Sequence, residues 1–332
     1  MSPNKVENNA NSSRHVLVVG GAGYIGAHVA QALIDNGYTV RIFDDFSTGL
    51  QRRVDGKFED VVKNNILNRD ALISSLDGID SVIHLAAKKS VEESVLNPLK
   101  YYENNVGGTL NLLAAMAVKK VKKLVFSSTA AVYASNEKSA IEEFDSLQPI
   151  SPYGNTKLIS EELIKCIGSA EGISTISLRY FNVAGTSKTE FGDNSKDNLV
   201  PKVFAAIRRG ERPEIYGVDY PTNDGTCVRD YIHVADLADS HIAALKEVEN
   251  SMIHEVYNVG SGAGYSVRQI MNQISATINE QLIPVNAPRR AGDVPQLIAS
   301  TTKIERDLGW KPMRTLKEMI DSAWESEMEN IK

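Results

Sequence analysis

The sequence predicts an α/β fold, with a doubly wound parallel sheet followed by a smaller α/β lobe. Two observations lead to this class. Over residues 15–185, short runs rich in β-branched residues alternate with longer helical stretches, as in a parallel sheet covered by helices on both faces. Beyond about Gly185, segments rich in Gly, Pro, Asp and Asn replace this alternation and predict a second lobe rich in loops.

The individual elements follow from the same patterns. Strands are predicted at 15–19, 40–44, 81–87, 123–128 and 175–180, with a further candidate at 58–66, and helices at 199–209 and 267–278. Residues 1–14 are rich in Asn and Ser, lack periodicity and are expected to form a flexible tail. The resulting division is a first domain over 15–185, which residues 232–257 can rejoin, and a second lobe over 186–231 and 258–332.

The composition restricts the classes of function. Of the 332 residues, 36 are Lys or Arg and 42 are Asp or Glu, and this net charge of −6 argues against a nucleic-acid partner, which needs a basic face. No apolar stretch reaches the length of a membrane span and residues 1–14 lack a secretory core, so a cytoplasmic protein without a membrane partner is expected. Neither Cys166 and Cys227 nor the six histidines show the spacing of a metal site.

A glycine-rich turn follows the first predicted strand. In its G-x-x-G-x-x-G pattern, Gly20 permits a tight turn, Gly23 lets a pyrophosphate approach the backbone, and Gly26 lets the next helix pack closely on the strand. The N-terminus of that helix faces the anion. Asp44 ends the next strand, where a carboxylate accepts the ribose hydroxyls and repels a 2′-phosphate. The sequence therefore predicts NAD, rather than NADP, as the cofactor.

A second motif lies after the predicted strand at 123–128, the fifth strand when the candidate at 58–66 is counted. Tyr153 and Lys157 are four residues apart and share one face of the helix that Pro152 begins. A tyrosine is a poor base at neutral pH because its ordinary pKa is about 10, but an adjacent ammonium favours the phenolate. Ser127 and Thr129 end the strand itself. Because ligands bind at the carboxyl ends of parallel strands, these hydroxyls either contact a substrate oxygen or serve only the loop backbone.

Together these motifs resemble the extended short-chain dehydrogenases/reductases, a family with the Rossmann dinucleotide-binding fold. More narrowly, the chain resembles the UDP-glucose 4-epimerases of that family, and the likeness extends from about His15 to Trp310. Besides the glycine turn and the Tyr-Lys pair, the matching blocks are YYENNV at 101–106, RYFN at 179–182, DYPTNDGT at 219–226, VRDYIH at 228–233 and APRRAGD at 287–293.

The resemblance implies an isomerase that interconverts UDP-galactose and UDP-glucose with bound NAD. By similarity, the phenolate of Tyr153 takes the proton from the sugar 4-hydroxyl while hydride leaves C4. Lys157 stabilises the phenolate and binds the nicotinamide ribose, and Thr129 hydrogen-bonds the reacting oxygen. The 4-keto sugar then turns within the site, and hydride returns to its other face, which inverts C4 without net redox change.

The resemblance also assigns contacts with cofactor, substrate and a second subunit. Its cofactor contacts are Gly20, Gly23, Tyr24, Ile25, Gly26, Asp44, Asn65, Ile66, Lys89, Asn104, Ser127, Tyr153, Lys157 and Tyr180. Its substrate contacts are Thr129, Tyr153, Asn182, Asn198, Leu199, Tyr216, Arg229, Arg290 and Asp293. The two arginines are assigned to the diphosphate, a role that suits the bidentate guanidinium, with Asp293 on the uridine ribose and Tyr216 beside the uracil. Stretches 97–118 and 153–168 match helices that often pair two subunits in a four-helix bundle, so a homodimer is expected.

Four positions depart from the family pattern. Asn65 stands where the family commonly carries Asp, and its amide can still bond the adenine amino edge. Thr129 replaces the usual serine and keeps the hydroxyl, and Ala134 replaces a glycine, which can shift its loop slightly. Leu297 falls where some relatives carry a bulky tyrosine and others a small residue, so the room for a 2-acetamido group stays open.

Three alternative functions are considered for this chain. A 4-epimerase for a UDP-N-acetylhexosamine or a UDP-pentose differs only in its sugar pocket. A nucleotide-sugar 4,6-dehydratase needs an acid/base pair, and those relatives carry Asp-Glu directly after the Thr, where this chain has Ala130 and Ala131. A noncatalytic NAD-binding regulator would be expected to lose the pair Tyr153 and Lys157, which is present here.

Overall fold

A computed structural model describes residues 14–133, 138, 140–290 and 293–329. The strands are β1 (His15–Val19), β2 (Thr39–Asp44), β3 (Asp60–Lys63), β4 (Ser81–His84), β5 (Lys123–Thr129), β6 (Ser174–Tyr180), β7 (Asn182–Ala184), β8 (Glu214–Tyr216), β9 (Val228–His233), β10 (His254–Val259), β11 (Gly264–Ser266), β12 (Val285–Ala287) and β13 (Gln296–Leu297). The α-helices are α1 (Tyr24–Asp35), α2 (Arg69–Ser75), α3 (Val91–Leu96), α4 (Pro98–Tyr101), α5 (Gly108–Lys119), α6 (Pro152–Glu171), α7 (Leu199–Arg208), α8 (Val234–Asn250), α9 (Val267–Ile278), α10 (Thr302–Leu308) and α11 (Leu316–Glu329). The predicted tail over 1–14, apart from Arg14, and Ala134 lie outside the described residues.

Within the described residues, seven strands form one parallel sheet in the order β10-β6-β5-β4-β1-β2-β3. Val19 of β1 pairs with Phe43 of β2 on one side and with His84 of β4 on the other. The strand order reverses between β1 and β4, and ligands bind at such a switch point, beyond the carboxyl ends of the strands. The predicted α/β class with a doubly wound, Rossmann-type parallel sheet is confirmed.

Helices cover both faces of this sheet, because its strands are apolar on both sides. On one face, Leu33 of α1 and Leu245 of α8 belong to a buried core with residues of β1 and β2. On the other face, Leu113 of α5 and Ile164 of α6 pack with Phe126 of β5. The carboxyl edge of the sheet is therefore supported by close packing from both sides.

The helix that carries the Tyr-Lys motif is fixed at its start. Ser151 caps α6 by accepting a hydrogen bond from the Gly154 N–H (3.1 Å). A Cβ atom at Gly154 would lie 2.3 Å from the carbonyl oxygen of Ala131. Glycine alone permits so close an approach between α6 and the segment after β5, and this approach brings Tyr153 towards Thr129.

The second part of the chain is built on smaller sheets. Strand β9 pairs in parallel with β7 and β13 and antiparallel with β11, while β12 pairs in parallel with β8. Helices α7, α9 and α11 enclose a separate core that includes Phe204, Ile270 and Ile320. After α8, strand β10 pairs with β6 at the edge of the large sheet, so the chain crosses between the two cores more than once.

Buried polar contacts fasten this second part to the glycine-rich turn. Arg53 is only 1% exposed and donates to the Gly192 carbonyl (2.5 Å) and to Asn194 Oδ1 (3.0 Å). The hydroxyl of Tyr24, the first residue of α1, donates to the Gly185 carbonyl (2.5 Å). The segment that leads into α7 is therefore held against the start of α1.

Two strands are shorter than predicted, the one over 81–87 and the candidate over 58–66, which spans only Asp60–Lys63. The strand predicted over 81–87 ends at His84, because the N–H groups of Leu85 and Ala86 both donate to the Val19 carbonyl (2.8 and 2.9 Å) and turn the chain. The further candidate strand is present as β3, at the far edge of the sheet. These differences change the ends of elements and leave their order as predicted.

Candidate active site

The glycine-rich turn has the geometry of an anion site. Gly20 adopts a φ of +90°, and a Cβ atom at Gly26 would lie 2.1 Å from the Gly20 carbonyl oxygen, so both positions require glycine. Helix α1 begins at Tyr24 without a capping side chain and without an acidic residue in its first turn. Its first amides and its dipole are therefore available to a phosphate group.

Asp44 lies at the carboxyl end of β2, beside this turn. Its carboxylate accepts hydrogen bonds from the N–H groups of Ala22 (2.9 Å) and Phe46 (2.8 Å). Burial raises the pKa of Asp44, and these two hydrogen bonds act in the opposite direction. The carboxylate is held in one orientation, and its remaining lone pairs suit the hydroxyls of a ribose and would repel a 2′-phosphate.

Two other predicted cofactor residues use their side chains within the protein. The amide of Asn65 donates to Asp45 Oδ2 (2.9 Å) and accepts from the Leu67 N–H (2.9 Å). The amide keeps a second N–H and a second lone pair, so its expected bond to the adenine amino edge stays a prediction. Ile66 is buried under α5, where a Cβ at Gly108 would lie 2.7 Å from it.

Next to the predicted cofactor residues Lys89 and Asn104 in the chain, Lys88 and Asn105 are hydrogen-bonded to each other, and the sequence did not single out Asn105. Lys89 is exposed, and Asn104 donates to Asn105 Oδ1 (3.1 Å). The buried Asn105 accepts from the Lys88 N–H (2.8 Å) and donates to Thr156 Oγ1 (3.0 Å). Asn105 therefore ties the loop after β4 to the helix of the Tyr-Lys motif.

Tyr153, Thr129 and Lys157 meet at the carboxyl end of β5. Burial raises the pKa of Tyr153, and the Thr129 hydroxyl nearby lowers it. Lys157 is buried, and its Nζ donates to the Ser127 carbonyl (2.7 Å) and lies 4.7 Å from the centre of the Phe126 ring. Burial lowers the pKa of Lys157 to about 7. The group contains a phenol and an amine, and the amine can gain or lose a proton near neutral pH.

Tyr180 pairs with Thr129 across β5 and β6. Its hydroxyl is hydrogen-bonded to His241 Nε2, and His241 Nδ1 lies 2.8 Å from the Leu237 carbonyl. Since a carbonyl only accepts, Nδ1 carries the proton of His241, and Nε2 accepts from Tyr180. Burial raises the pKa of Tyr180 and lowers that of His241 to about 4. Tyr180 is therefore a neutral phenol close to Tyr153.

A second cluster of predicted residues lies beyond the large sheet. Arg229 donates to the Val294 carbonyl (2.7 Å) and to Asp293 Oδ1 (3.3 Å), and Arg290 Nε donates to Asp293 Oδ2 (2.9 Å). The Arg290 guanidinium lies 5.2 Å from the centre of the Tyr216 ring. Two arginines and an aromatic ring around one carboxylate can bind a nucleoside diphosphate.

The other predicted substrate residues lie on different elements. Asn182 is exposed at the start of β7, Leu199 is half-buried at the start of α7, and Asn198 donates to Asp193 Oδ2 (2.6 Å). Leu297 of β13 pairs with Arg229 of β9 and packs with the core that contains Phe181. Leu297 therefore connects the arginine cluster to the apolar surroundings of the Tyr-Lys site.

Within the part of the chain that the structure describes, neither a metal-ligand group nor a membrane-spanning helix is found. No group of three His, Cys, Asp or Glu side chains is arranged to hold a metal ion. No helix there combines the length and the apolar character needed to cross a bilayer. Cys166 and Cys227 are free thiols, the first exposed and the second buried.

Known proteins resemble the chain over most of its length. The model of the NAD dependent epimerase/dehydratase family matches residues 16–260. The UDP-glucose 4-epimerase of Lacticaseibacillus casei is 39% identical over 318 residues, which cover 93% of this chain and 95% of that protein. The bifunctional UDP-glucose 4-epimerase and UDP-xylose 4-epimerase 1 of Pisum sativum is 40% identical over 335 residues, which cover 94% and 95%.

A solved structure shows the same arrangement. The UDP-glucose 4-epimerase of Bifidobacterium longum, in complex with NAD+ and UDP, superposes with a TM-score of 0.89 at 35% identity, over 96% of this chain and 99% of that one. The matched segment 16–260 includes the glycine turn, Asp44 and the group around Tyr153. With this coverage and these identities, the chain belongs to the NAD-dependent epimerase/dehydratase family.

Proposed function

We propose that this chain is a UDP-glucose 4-epimerase, an isomerase that interconverts UDP-galactose and UDP-glucose with NAD. The observation that carries the proposal is the grouping of Tyr153, Thr129 and Lys157 at the same sheet edge as the glycine turn. Relatives at about 40% identity with this activity in their names support it. In this proposal residues 15–185 and 232–257 hold the cofactor, and 186–231 and 258–332 form the UDP-sugar lobe.

The residues present fit NAD. The uncapped start of α1 suits the pyrophosphate and Asp44 suits the adenosine ribose. Lys157, whose one nitrogen has three protons to donate, has hydrogen-bonding capacity beyond its bond to Ser127 and suits the nicotinamide ribose. When bound, NAD supplies the reversible hydride transfer that the reaction requires.

Tyr153 is the proposed base for the sugar 4-hydroxyl. A buried phenolate is costly, so its formation depends on a nearby cation, and Lys157 one helical turn away supplies one. The Thr129 hydroxyl donates to the oxygen that loses the proton and orients it towards Tyr153. When C4 is reduced again, the same tyrosine returns the proton, so the protein ends the cycle unchanged.

Inversion at C4 requires that the sugar turn without leaving. Arg229 and Arg290 anchor the diphosphate away from the reacting carbon, and Asp293 holds both guanidinium groups towards one point. Tyr216 supplies the flat surface for the uracil beside Arg290. With the nucleotide fixed, rotation about the bonds of the diphosphate presents either face of the keto sugar.

A UDP-pentose is a second candidate substrate. The Pisum sativum relative carries UDP-xylose 4-epimerase as well as UDP-glucose 4-epimerase in its name. A pentose lacks the C6 hydroxymethyl group and therefore needs less room at the sugar pocket. Leu297, which packs against the core around Phe181, is the residue proposed to limit that room, including the room for a 2-acetamido group.

We also propose a cytoplasmic homodimer formed through 97–118 and 153–168. Leu99, Leu110 and Val118, all within 97–118, expose 69%, 47% and 56% of their surface, and large apolar side chains exposed in one segment favour association. Light scattering of the purified protein at several concentrations tests this assembly. A single species with the 36.3 kDa mass of one chain would contradict it.

The test of function uses purified protein without added NAD. UDP-galactose, UDP-N-acetylgalactosamine and a UDP-pentose are incubated in parallel, and the products are separated chromatographically. Conversion of UDP-galactose to UDP-glucose is expected, and the parallel reactions rank the sugars. If no sugar is converted even after NAD is supplied, the proposed function is wrong.

A further inference from the structure

A buried polar network lies one helical turn beyond Lys157, and the mechanism above does not use it. Glu161 is 7% exposed and accepts hydrogen bonds from Arg179 Nε (3.0 Å) and Nη2 (2.7 Å) and from the Ser128 hydroxyl. Arg179, 3% exposed, also donates to the Tyr133 hydroxyl (2.9 Å). Burial of a carboxylate costs desolvation free energy, which a charged partner and hydrogen bonds can offset.

The network and the Tyr-Lys motif make neighbouring contacts between α6 and β5. Lys157 donates to the carbonyl of Ser127, and Glu161 accepts from the hydroxyl of Ser128, the next strand residue. Residues four apart share one face of a helix, so Tyr153, Lys157 and Glu161 form a single row. The carboxylate is thus fixed directly behind the lysine, on the side away from the tyrosine.

We propose that Glu161 is a positioning residue for Lys157. Its carboxylate is fixed by Arg179 and Ser128, and it keeps the buried Lys157 ammonium charged and oriented towards Tyr153. This role rests on the proposed function. The other partners of the ammonium are weak, since the Ser127 carbonyl is neutral and the face of the Phe126 ring supplies only a cation–π attraction. A buried ammonium needs an anion nearby to stay charged.

Among the titratable groups around Lys157 on α6, β4 and β6, only Glu161 supplies a negative charge. In the ligand-free protein, burial raises the pKa of Tyr153 on the same helix, so this neutral phenol supplies no anion to the ammonium. His84, on β4, has its pKa lowered to about 3 by burial and by the charge of Lys157, so it is neutral as well. Arg179, on β6, is a cation already bound to Glu161. Burial lowers the pKa of Lys157 and the Glu161 carboxylate raises it, so removal of that charge lowers it further.

The direct test follows the titration of Lys157 in ligand-free protein. Lysine labelled with 13C at Cε reports the charge of each ammonium by NMR, and a Lys157→Met variant assigns the signal. In Glu161→Gln, the Lys157 titration is expected to move to lower pH by about one unit, the size of a charge interaction across one helical turn in a partly buried site. The alkaline limb of the kcat profile is expected to move in the same direction.

Two variants separate charge from structure. Glu162 is exposed and neighbours Glu161 on the same helix, so Glu162→Gln removes an equal charge outside the network and is expected to leave the titration unchanged. Ser128→Ala keeps the carboxylate but removes one of its hydrogen bonds. It is expected to lower kcat severalfold through misalignment, without the shift of the Lys157 titration.

The inference and the proposed function fail in different ways. An unchanged Lys157 titration in folded Glu161→Gln would overturn the role of Glu161, whatever the enzyme does. A shifted titration in a protein whose wild type converts no UDP-sugar would leave the charge effect standing and remove its purpose. If Glu161→Gln does not fold, because Arg179 is left unpaired, the double variant Glu161→Gln/Arg179→Met removes both charges. A smaller shift to lower pH is then expected, because the Arg179 cation that opposes the carboxylate is removed with it, and the absence of any shift would count against the inference.

Discussion

The glycine-rich turn and the arginine cluster are both proposed to bind phosphate, but they are built in opposite ways. The turn uses backbone groups of seven consecutive residues, 20–26, and leaves no space for a side chain at Gly26. The cluster uses the side chains of Arg229, Arg290 and Asp293, whose segments are about 60 residues apart in the chain and whose exposures differ. A backbone site should fail abruptly when an atom is added, whereas a side-chain site should weaken in steps.

The largest effect is expected at Tyr153, which belongs to neither phosphate site. Tyr153→Phe removes only the proposed base, and general base catalysis contributes about 10²- to 10⁴-fold, so kcat should fall about 10³-fold. Retained NAD and the affinity for UDP should stay near the wild-type values, because neither phosphate site is altered. Steady-state kinetics measures kcat, the cofactor released on denaturation measures retained NAD, and calorimetry measures the affinity for UDP.

Tyr38→Phe is the matched control for this variant. It removes a phenol hydroxyl whose bond goes to Glu249, away from the sheet edge. Its kcat should equal that of the wild type. Substantial kcat in Tyr153→Phe would show that another group takes the proton.

The second prediction adds one methyl group at each of two positions in the turn. At Gly26 the new Cβ lies 2.1 Å from the Gly20 carbonyl and must displace backbone, so Gly26→Ala should lower the free energy of unfolding by about 1–3 kcal/mol. At Gly23, where φ is −69°, the nearest atom is 3.2 Å away. Gly23→Ala should therefore fold almost normally but lose about tenfold or more in NAD affinity, because the methyl group faces the pyrophosphate.

Urea unfolding and NAD titration distinguish the two glycine variants. Gly107→Ala serves as the control, since its Cβ would meet only Leu67 Cδ2 at 3.7 Å, an ordinary contact. It should change neither quantity measurably for the worse. If Gly23→Ala binds NAD as tightly as the wild type, the pyrophosphate does not lie over this turn.

The contrast between the two regions also explains how much could be predicted from the sequence. The glycine turn, Asp44 and the pair Tyr153 and Lys157 are local patterns, because each depends on fixed spacing along one strand or helix. The parallel sheet and the succession of its strands along the chain followed from the alternation of strands and helices. Glu161 could have been found as well, because it lies four residues after Lys157 on the same helical face.

The remaining contacts depend on tertiary structure and carry no local signal. Arg53 contacts Gly192, which is 139 residues away in the chain, and nothing around Arg53 in the sequence marks it as buried. Asn105 and Asn104 are identical residue types, and only packing determines which one ties the loop to Thr156. Asn65 donates to Asp45, a contact that forms because β2 and β3 are adjacent and end at the same level, and its predicted bond to adenine stays a prediction.

A third prediction concerns the more buried arginine of the cluster. The side chain of Arg229 is 14% exposed, and its guanidinium donates hydrogen bonds to both the Val294 carbonyl and Asp293. In Arg229→Lys the ammonium cannot bridge both partners and also bind phosphate in a bidentate manner. KM should rise about tenfold or more with kcat nearly unchanged, because this contact is made equally in the ground and transition states.

Steady-state kinetics test this variant beside Arg289→Lys. Arg289 adjoins the cluster but is exposed and bound to Asp219, so the same substitution there should change KM less than twofold. A fall in kcat for Arg229→Lys with constant KM would place Arg229 at the reacting carbon. That result would reverse the orientation proposed for the substrate.

The smallest effect is expected at Arg290, the exposed arginine of the same cluster. Its side chain is 58% exposed and its Nε donates to Asp293 (2.9 Å), so water and salt screen its charge. Arg290→Ala should raise KM only about three- to fivefold at low ionic strength, and most of this change should vanish in high salt. The effect of Arg229→Lys should persist in salt, because its partly buried charge is screened less. Equal salt dependence of the two variants would mean that both arginines are solvated when substrate binds, and the cluster would then be a surface patch rather than an anchor.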